Sequence, residues 1–336
     1  RTVPMLPERL SNGLCSLRPN EEKLCFSAIF ELSPEAEVQQ EWFGRTVIYS
    51  DRRFTYQEAQ DVIETGRGDL SDEILLLNDL AQKLRAERFR NGSINFERDE
   101  AKFELDENGK PLRVYFKEIK ESNQLIEEFM LLANRKVAEF VGRKRKGVQN
   151  SDRTFVYRIH DKPNTDKMAQ FRSFVTRFGY QMKAQGNKAV AKEINRLMKK
   201  IHGRKEENII STLAIRSMAK ATYSTDNIGH YGLAFDYYTH FTSPIRRYPD
   251  MMVHRLLAHY LAGGKSEDKE YYDRLCEHSS AMEVRAADAE RASIKYKMVE
   301  FMLDKLDQEF DGHISGITEW GIYVELEDTK IEGMVA

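Results

Sequence analysis

The residues best suited to chemistry lie in one stretch of the 336-residue sequence, positions 227–255. Two arginines, Arg246 and Arg247, follow Pro244 there, and proline is preorganised for the first position of a helix. Ser243 comes directly before the proline as a candidate N-cap. Cations are unfavourable at a helix N-terminus, which prefers anions, so the arginine pair predicts a bound phosphate. A basic surface turn is the alternative interpretation.

The same stretch holds other side chains of the types that bind metals. They are three histidines and two aspartates: His230, His240, His254, Asp236 and Asp250. The histidines lack metal-ligand spacing, so we interpret them as hydrogen-bonding residues of a core or groove. The aspartates are expected to orient Arg246, Arg247 or Tyr248 rather than to bind a metal.

A helix is predicted to position these residues. Side chains after the proline recur at helical spacing: Ile245, Tyr248, Met252, Leu256 and His259. The pattern predicts a helix whose first residue is Pro244. Because Pro249 falls inside it, a kink or a restarted helix is expected there.

Strand and helix patterns alternate along the rest of the chain. Strands are predicted at residues 24–32, 41–49, 93–96, 111–116 and 155–161. Helices are predicted at residues 71–89, 122–141, 165–180, 189–201, 208–223 and 268–306. Thr55 and Glu58 form a capping-box pattern that begins a further helix, and Gly92 is expected to end the 71–89 helix. From residue 310 the pattern changes to short strands with glycines at bends.

Composition limits the functions that the sequence can serve. The net charge is −2, so any surface for nucleic acid must be a local groove in a near-neutral body. The three cysteines show no C-x-x-C spacing, which argues against a disulfide framework and a zinc site and suits a reducing cytoplasm. No apolar run is long enough to predict a membrane span.

One motif resembles a known family. The segment HFTSPIRRYPD at positions 240–250, followed by His254 and Arg255, resembles the signature of the ribonuclease II and ribonuclease R family, whose catalytic module is the RNB domain. Residues 5–11, 14–17 and 158–163 resemble further blocks of that family, in the family's order. These blocks resemble ribonuclease R more than ribonuclease II.

The resemblance implies a fold and an activity. The expected fold is α+β, with an RNB catalytic domain at residues 1–308 and the start of an OB-fold RNA-binding β-barrel at residues 309–336. The implied activity is 3′-to-5′ hydrolysis of single-stranded RNA to nucleoside 5′-monophosphates by a two-metal mechanism. Because the chain begins without Met and stops partway through such a barrel, we expect a piece cut at both ends.

The resemblance also implies Mg²⁺ as cofactor, held by closely spaced aspartates. No Asp-x-Asp-Asp pattern occurs in the sequence. We therefore expect the metal ligands upstream of this chain, and we expect the isolated chain to be inactive.

Several positions match residues to which the family assigns a role. Arg246 is expected to offset charge on the scissile phosphate as the catalytic arginine. Tyr56 and Glu127 resemble positions that read the sugar of the substrate. An ordinary core tyrosine and a solvated acidic helix face are the alternatives for these two.

Further positions are expected to bind the RNA strand. Phe96 resembles an aromatic that stacks on a base, and Trp320 and Tyr323 are placed to do the same in the OB-type segment. Burial in a strand or in a barrel core is the alternative for these aromatics. Arg247 and Tyr248 are expected to contact RNA next to Arg246.

Two hypotheses for function follow. The first is a cytoplasmic, monomeric 3′-to-5′ exoribonuclease that acts on single-stranded RNA, has no membrane partner and resembles ribonuclease R. The second is a catalytically silent RNA-binding scaffold. An Asp-rich metal loop upstream of this chain would favour the enzyme.

Overall fold

The computed structural model describes residues 4–95, 100–143, 153–184, 186–204 and 206–336. In these residues the helices are α1 (Tyr56–Thr65), α2 (Ser71–Asn91), α3 (Glu121–Gly142), α4 (Thr165–Arg177), α5 (Asn187–Ile201), α6 (Glu207–Ser217), α7 (Tyr248–Leu261) and α8 (Lys269–Leu303). The strands are β1 (Glu22–Leu32), β2 (Val38–Tyr49), β3 (Glu100–Leu105), β4 (Pro111–Lys117), β5 (Tyr157–Ile159), β6 (Thr222–Ser224), β7 (Gly312–Thr318), β8 (Gly321–Leu326) and β9 (Glu332–Val335).

The chain forms two compact units, each assembled from separated segments. The first unit consists of Arg1–Ser93, Ile119–Asp161 and Lys220–Ser280. The second consists of Ile94–Glu118, Lys162–Ala219 and Ala281–Ala336. The domain boundary predicted between residues 308 and 309 falls inside the second unit and stays a prediction.

The first unit packs a long hairpin and two helices around one core. Strands β1 and β2 pair antiparallel, from Glu22 opposite Tyr49 to Leu32 opposite Val38. Their inward side chains meet apolar residues of α3, β5 and α7, and the fully buried members of this core include Val137, Phe155, Val156, Val253 and Leu257. Phe241 of the 227–255 stretch belongs to this core together with residues of α3 and α7.

Local sequence signals account for two helix ends in this unit. The Thr55 hydroxyl accepts the Glu58 N–H while the Glu58 carboxylate accepts the Thr55 N–H, which is the predicted capping box. Gly92 ends α2 with a φ of 105°, a left-handed conformation that costs a glycine little. Both predictions are confirmed.

Among the described residues, the second unit contains a short hairpin, the helices α4, α5 and α6, the C-terminal part of α8 and a three-stranded sheet. Strands β3 and β4 pair around the Asn108–Gly109 turn, where the sequence predicts a tight turn. Strands β7, β8 and β9 form an antiparallel sheet in chain order. These strands lie where the sequence predicts the start of an OB-fold, and the complete barrel stays a prediction.

Three predicted segments differ from the structure. Residues 93–95 are not strand, because the buried Ser93 hydroxyl bonds to the Arg88 guanidinium and to the Gly232 carbonyl instead. The helix predicted at 208–223 ends at Ser217, because Thr222–Ser224 pairs with β5 as a strand. The strand predicted at 155–161 is limited to the three residues of that ladder.

The α+β class predicted from the sequence is confirmed. None of the helices formed by the described residues combines the length and the apolar character that crossing a bilayer requires.

Candidate active site

The arginine pair lies in a turn that precedes a helix, and the predicted helix start at Pro244 is wrong. Residues 244–246 form a turn in which the N–H groups of Arg246 and Arg247 approach the Ser243 carbonyl at 3.3 and 3.0 Å. Helix α7 begins at Tyr248 with Pro249 in its first turn. A helix continuous from Pro244 would drive the Pro249 ring into the carbonyl four residues earlier. The helix therefore starts anew next to Pro249, and the predicted restart there is confirmed.

The two adjacent arginines have different surroundings. A terminal nitrogen of Arg247 (Nη2) donates to Asp250 Oδ1 at 2.8 Å, and the Asp250 side chain is fully buried. Asp250 therefore orients Arg247, as expected from the sequence. Arg246 is exposed on the same turn, so its guanidinium is accessible to a ligand.

Two buried side chains from other elements hold the backbone of this turn. Asn134 Oδ1 accepts the N–H groups of Phe241 and Thr242 at 2.8 and 3.2 Å, and Asp250 Oδ1 accepts that of Ser243 at 2.7 Å. Asn134 was not predicted as a site residue from the sequence. An amide among the apolar residues Leu131, Leu132, Val137 and Ala138 of the buried face of α3 was the signal that could have found it.

The loop that precedes the turn is held by hydrogen bonds to β5 and to the residue before it. The Arg158 N–H donates to the Tyr238 carbonyl at 2.9 Å, and the Thr239 hydroxyl donates to the Val156 carbonyl at 2.6 Å. Gly229 has a φ of +80°, and a Cβ there would lie 2.9 Å from the Phe235 carbonyl oxygen. Glycine is therefore required where this loop folds back on itself.

Two histidines of the site, His230 and His240, are neutral. Burial, the largest cause, and the nearby charges of Arg247, Arg158 and Arg246 together lower the pKa of His240 to about 2. Burial lowers the pKa of His230 to about 3, with His160 and Arg158 as further causes. Positive charge in the site therefore comes from the guanidinium groups and not from imidazolium.

Hydrogen bonds place each histidine as a structural element. His160 Nδ1 accepts the Gly232 N–H at 3.0 Å and His230 Nδ1 accepts the Leu233 N–H at 3.2 Å, so each neutral ring carries its proton on Nε2. His240 Nδ1 lies 2.8 Å from the Tyr223 hydroxyl, which belongs to β6. The interpretation of His230 and His240 as hydrogen-bonding core or groove residues is confirmed.

Arg158 is a second site residue that the sequence analysis did not assign. Its guanidinium carbon lies 4.6 Å from the centroid of the Tyr223 ring, and its charge contributes to the low pKa values of His230 and His240. Three guanidinium groups, those of Arg158, Arg246 and Arg247, thus act on one buried imidazole. Guanidinium groups are suited to bind a phosphate anion, and Arg246 is the exposed one of the three.

The residues of the site do not fit a divalent metal. Across the described ranges, no group of three or more His, Cys, Asp or Glu residues is arranged to hold a metal ion. Asp250 Oδ1 accepts a guanidinium and a backbone N–H, and Oδ2 is buried without a hydrogen-bond partner among the described residues, so this side chain offers one carboxylate oxygen where a divalent cation requires several oxygen ligands. The location of Mg²⁺ ligands upstream of the chain stays a prediction.

The predicted sugar-reading residues also lie in the first unit. Tyr56 is the first residue of α1 and is 51% exposed. Glu127 lies on α3 with a carboxylate oxygen 3.4 Å from Arg88 Nη2. Arg88 is buried and also pairs with the buried Glu128, so a structural ion pair lies beside the half-exposed Glu127. The exposure of Tyr56 does not agree with the alternative of a core tyrosine.

The predicted stacking residues and Tyr248, which is predicted to contact RNA, differ in exposure. Trp320 lies in the turn between β7 and β8 and is 78% exposed, so it is not a core residue of this chain. Tyr323 is partly buried on β8, opposite Gly316. Tyr248 is 45% exposed at the start of α7, next to the arginines. Phe96 lies outside the described residues.

Comparison with known proteins assigns the family. The family model of the RNB domain matches residues 1–263. This chain belongs to the RNB-domain family. Ribonuclease R 1 of Lactococcus lactis is 40% identical over 348 residues, which cover 100% of this chain and 41% of the relative. This RNB-domain chain therefore spans less than half the length of that curated relative.

Two solved structures share the fold. RNase R of Mycoplasma genitalium, in complex with ribose-methylated single-stranded RNA, matches with a TM-score of 0.89 at 24% identity, covering 99% of this chain and 52% of that one. Yeast Ssd1, named a pseudonuclease, matches with a TM-score of 0.75 at 22% identity, covering 98% and 41%. At these identities the likeness shows the fold alone. The family predicted from the sequence is confirmed.

Proposed function

We propose that this chain carries the RNA channel and the catalytic arginine of a 3′-to-5′ exoribonuclease similar to ribonuclease R, which hydrolyses single-stranded RNA to nucleoside 5′-monophosphates. The observation that carries the proposal is the exposed Arg246 on the signature turn at residues 241–247, next to the ion pair of Arg247 with the buried Asp250. Relatives named ribonuclease R match the chain over its whole length, and a structural neighbour of that name is bound to single-stranded RNA.

Arg246 is the residue proposed to act on the scissile phosphate. Its planar guanidinium keeps its charge at every working pH and presents paired donors that match two phosphate oxygens. Donors fixed where negative charge develops lower the barrier more than they tighten ground-state binding. The ion pair of Arg247 with buried Asp250 supports a role for Arg247 in holding the turn, with Tyr248 exposed beside it to contact RNA.

Other residues are proposed to select and hold the strand. Tyr56 and Glu127 are both about half exposed, as groups that hydrogen-bond a ribose hydroxyl must be. Phe96, Trp320 and Tyr323 are proposed to stack on bases. A two-metal mechanism with Mg²⁺ belongs to the proposal through the family alone, and no step of it is assigned to a residue of this chain. A reducing cytoplasm and a monomeric state complete the proposal, and the free thiols of the chain support the former.

The decisive experiment uses the full-length protein that carries this chain and a 5′-labelled single-stranded RNA. Arg246→Lys keeps the charge and loses the paired donors, so we expect single-turnover cleavage to fall by about a hundredfold. RNA affinity, measured in EDTA, should change by less than about threefold, because other groups hold the strand. The matched control is Arg274→Lys on the exposed face of α8.

The outcomes separate two roles for Arg246. A loss of affinity with cleavage unchanged would make Arg246 a docking residue and overturn its catalytic assignment. Unchanged cleavage and affinity in both Arg246→Lys and Arg246→Ala would remove it from the site altogether.

A catalytically silent RNA-binding scaffold is the second candidate. It is favoured by one observation: a protein named a pseudonuclease shares this fold at a TM-score of 0.75. The full-length protein with Mg²⁺ distinguishes the candidates. Progressive release of nucleoside monophosphates supports the enzyme, whereas salt-sensitive RNA binding without release supports the scaffold.

A further inference from the structure

The three backbone N–H groups directly before Pro244 all donate to side chains. Phe241, Thr242 and Ser243 donate in succession, the first two to Asn134 Oδ1 and the third to Asp250 Oδ1. Pro244 has no N–H, and the next bonded N–H groups of the turn point to the Ser243 carbonyl. The segment from which Arg246 projects is therefore fixed by two side-chain oxygens instead of a helix or a ladder.

Asn134 is the member of this pair that comes from a different element. It lies inside the 22-residue helix α3 and is 3% exposed. Its amide nitrogen Nδ2 donates to the Tyr238 hydroxyl at 3.2 Å, and Tyr238 is itself 4% exposed. The amide is thus held at both ends, so its oxygen has a fixed position relative to the helix.

We propose that Asn134 is a positioning residue for the proposed cleavage reaction, acting through Arg246. Its carbonyl oxygen accepts two consecutive N–H groups four and five residues before Arg246 and so fixes the direction in which that guanidinium projects. This inference rests on the catalytic role proposed for Arg246. It adds that the position of the Arg246 guanidinium depends on a residue more than a hundred positions earlier in the chain.

The chemistry of the amide explains why the residue type matters. Leucine has a similar size but would leave two buried N–H groups without acceptors. Aspartate keeps the acceptor oxygens and loses the donor to Tyr238. Alanine removes both and leaves a void beside the turn. Asn134→Asp and Asn134→Ala therefore separate the acceptor role from the rest of the side chain.

The test is a double-mutant cycle in the full-length protein. Single-turnover cleavage, RNA affinity in EDTA and urea unfolding are measured for Asn134→Ala, Asn134→Asp, Arg246→Ala and Asn134→Ala/Arg246→Ala. We expect Asn134→Ala to slow cleavage by about tenfold to a hundredfold, because a small misplacement of a catalytic group is enough for such a loss. In the Arg246→Ala background the further loss should be less than about threefold, since the two residues act as a unit.

Two comparisons exclude a purely structural role. Asn134→Asp should retain cleavage within about threefold of the wild type, because it keeps the acceptors. Gln60→Ala is the matched control: Gln60 is a buried amide that accepts the Ser122 N–H at 3.0 Å, outside the signature turn. If Gln60→Ala loses about as much stability as Asn134→Ala, its folded fraction should still cleave RNA at a rate close to that of the wild type.

Each outcome has a distinct meaning. Equal losses from Asn134→Ala in both backgrounds, or a loss matching that of Gln60→Ala, would overturn the positioning role. If Arg246→Ala slows cleavage and Asn134→Ala does not, the proposed function stands and this inference fails. If Arg246→Ala itself has no effect, it is the catalytic assignment that fails. Should Asn134→Ala not fold, Asn134→Ser carries the same comparison in both backgrounds.

Discussion

The signature turn at residues 241–247 and the sheet formed by β7, β8 and β9 are built by opposite means. In the turn, the backbone donors go to the buried side chains of Asn134 and Asp250, which come from two helices. In the sheet, the backbone donors go to the neighbouring strands, and large side chains such as Trp320 and Ile317 are 78% and 76% exposed. The turn is fixed by side chains, whereas the sheet is fixed by its backbone.

The difference predicts how each region responds to substitution. A buried side chain that satisfies several polar groups leaves all of them without partners when it is removed. An exposed side chain on a regular ladder takes little stability with it, because the ladder does not depend on its identity. We call the buried polar side chains of the first unit, among them Arg88, Glu128, Asn134 and Asp250, its polar framework. Substitutions in this framework are expected to cause large losses of stability, whereas substitutions of exposed residues of the sheet are expected to affect binding alone.

The largest effect is expected at Arg88, which belongs to that polar framework. Its guanidinium pairs with the buried Glu128 and donates to Ser93 Oγ at 2.9 Å. Arg88→Met leaves the Glu128 carboxylate buried beside a single weaker partner, Arg85 at 3.5 Å. Breaking one side of a buried ion pair costs about 3–5 kcal/mol, so urea unfolding should show a loss of that order.

Two variants control the Arg88 experiment. Arg90→Met, at an exposed position of the same helix, should change stability by less than about 0.5 kcal/mol. Arg88→Met/Glu128→Leu should recover much of the loss, since it removes the stranded charge. If Arg88→Met were as stable as Arg90→Met, the buried ion pair of Arg88 with Glu128 would not contribute to the stability of the first unit.

The next effect concerns pH and the neutral histidine His240. Burial lowers its pKa from 6.5 to about 2, so the unfolded chain binds a proton below pH 6.5 that the folded chain does not. Stability from this group is therefore complete above pH 6.5 and is lost as the pH falls toward 2. The loss reaches about 1.4 kcal/mol at pH 5.5 and about 2.7 kcal/mol at pH 4.5.

His240→Asn isolates this contribution. The asparagine oxygen takes the place of Nδ1 as the partner of the Tyr223 hydroxyl and does not titrate. Urea unfolding at pH 7.5, 5.5 and 4.5 measures the stability of the variant and of the wild type. Between pH 7.5 and the lower pH, the variant should lose less stability than the wild type, by about 1.4 kcal/mol at pH 5.5 and about 2.7 kcal/mol at pH 4.5. Parallel pH profiles would show that His240 is protonated in the folded state.

The two regions also differ in how far the sequence predicted them. The alternation after residue 310 and the Asn-Gly pair at 108–109 predicted strands and a turn that the structure contains, because ladder and turn signals are local in sequence. The capping box at Thr55 is equally local. The restart at Pro249 follows from a steric rule that involves five consecutive residues.

The parts of the site that sequence reasoning missed depend on distant partners. In the sequence, Asn134 is one of several polar residues of an amphipathic helix, and its role appears only when α3 meets the 241–243 backbone. Arg158 acts on His240 through space, from a strand some eighty positions earlier. The motif itself showed the arginines, and tertiary contacts distinguish the exposed Arg246 from the paired Arg247.

The sheet offers the converse experiment at Trp320. Trp320→Ala should leave the unfolding free energy within about 0.5 kcal/mol of the wild type, because the ring is 78% exposed. If Trp320 stacks on a base, RNA affinity in EDTA should fall by about 1–3 kcal/mol. Ile317→Ala, equally exposed on the same sheet and without an aromatic ring, should leave affinity unchanged. Equal affinity of both variants and the wild type would remove Trp320 from the proposed RNA surface.

The smallest effect is expected where the first unit presents exposed side chains to a ligand, at Tyr56 and Glu127. Neither side chain is buried, so Tyr56→Phe should leave the unfolding free energy nearly unchanged. One hydrogen bond to a ribose 2′-hydroxyl is worth about 1 kcal/mol, or roughly a fivefold preference for RNA over DNA. Each substitution, Tyr56→Phe or Glu127→Ala, should reduce the ratio of cleavage rates on matched RNA and DNA oligonucleotides by about that factor. Glu127 also lies 3.4 Å from Arg88, so Glu87→Ala, an exposed acid on α2, controls for the loss of negative charge near that arginine. An unchanged ratio of RNA to DNA cleavage in both Tyr56→Phe and Glu127→Ala would show that neither side chain recognises the sugar. Discrimination of ribose would then have to come from other contacts, such as those of the signature turn.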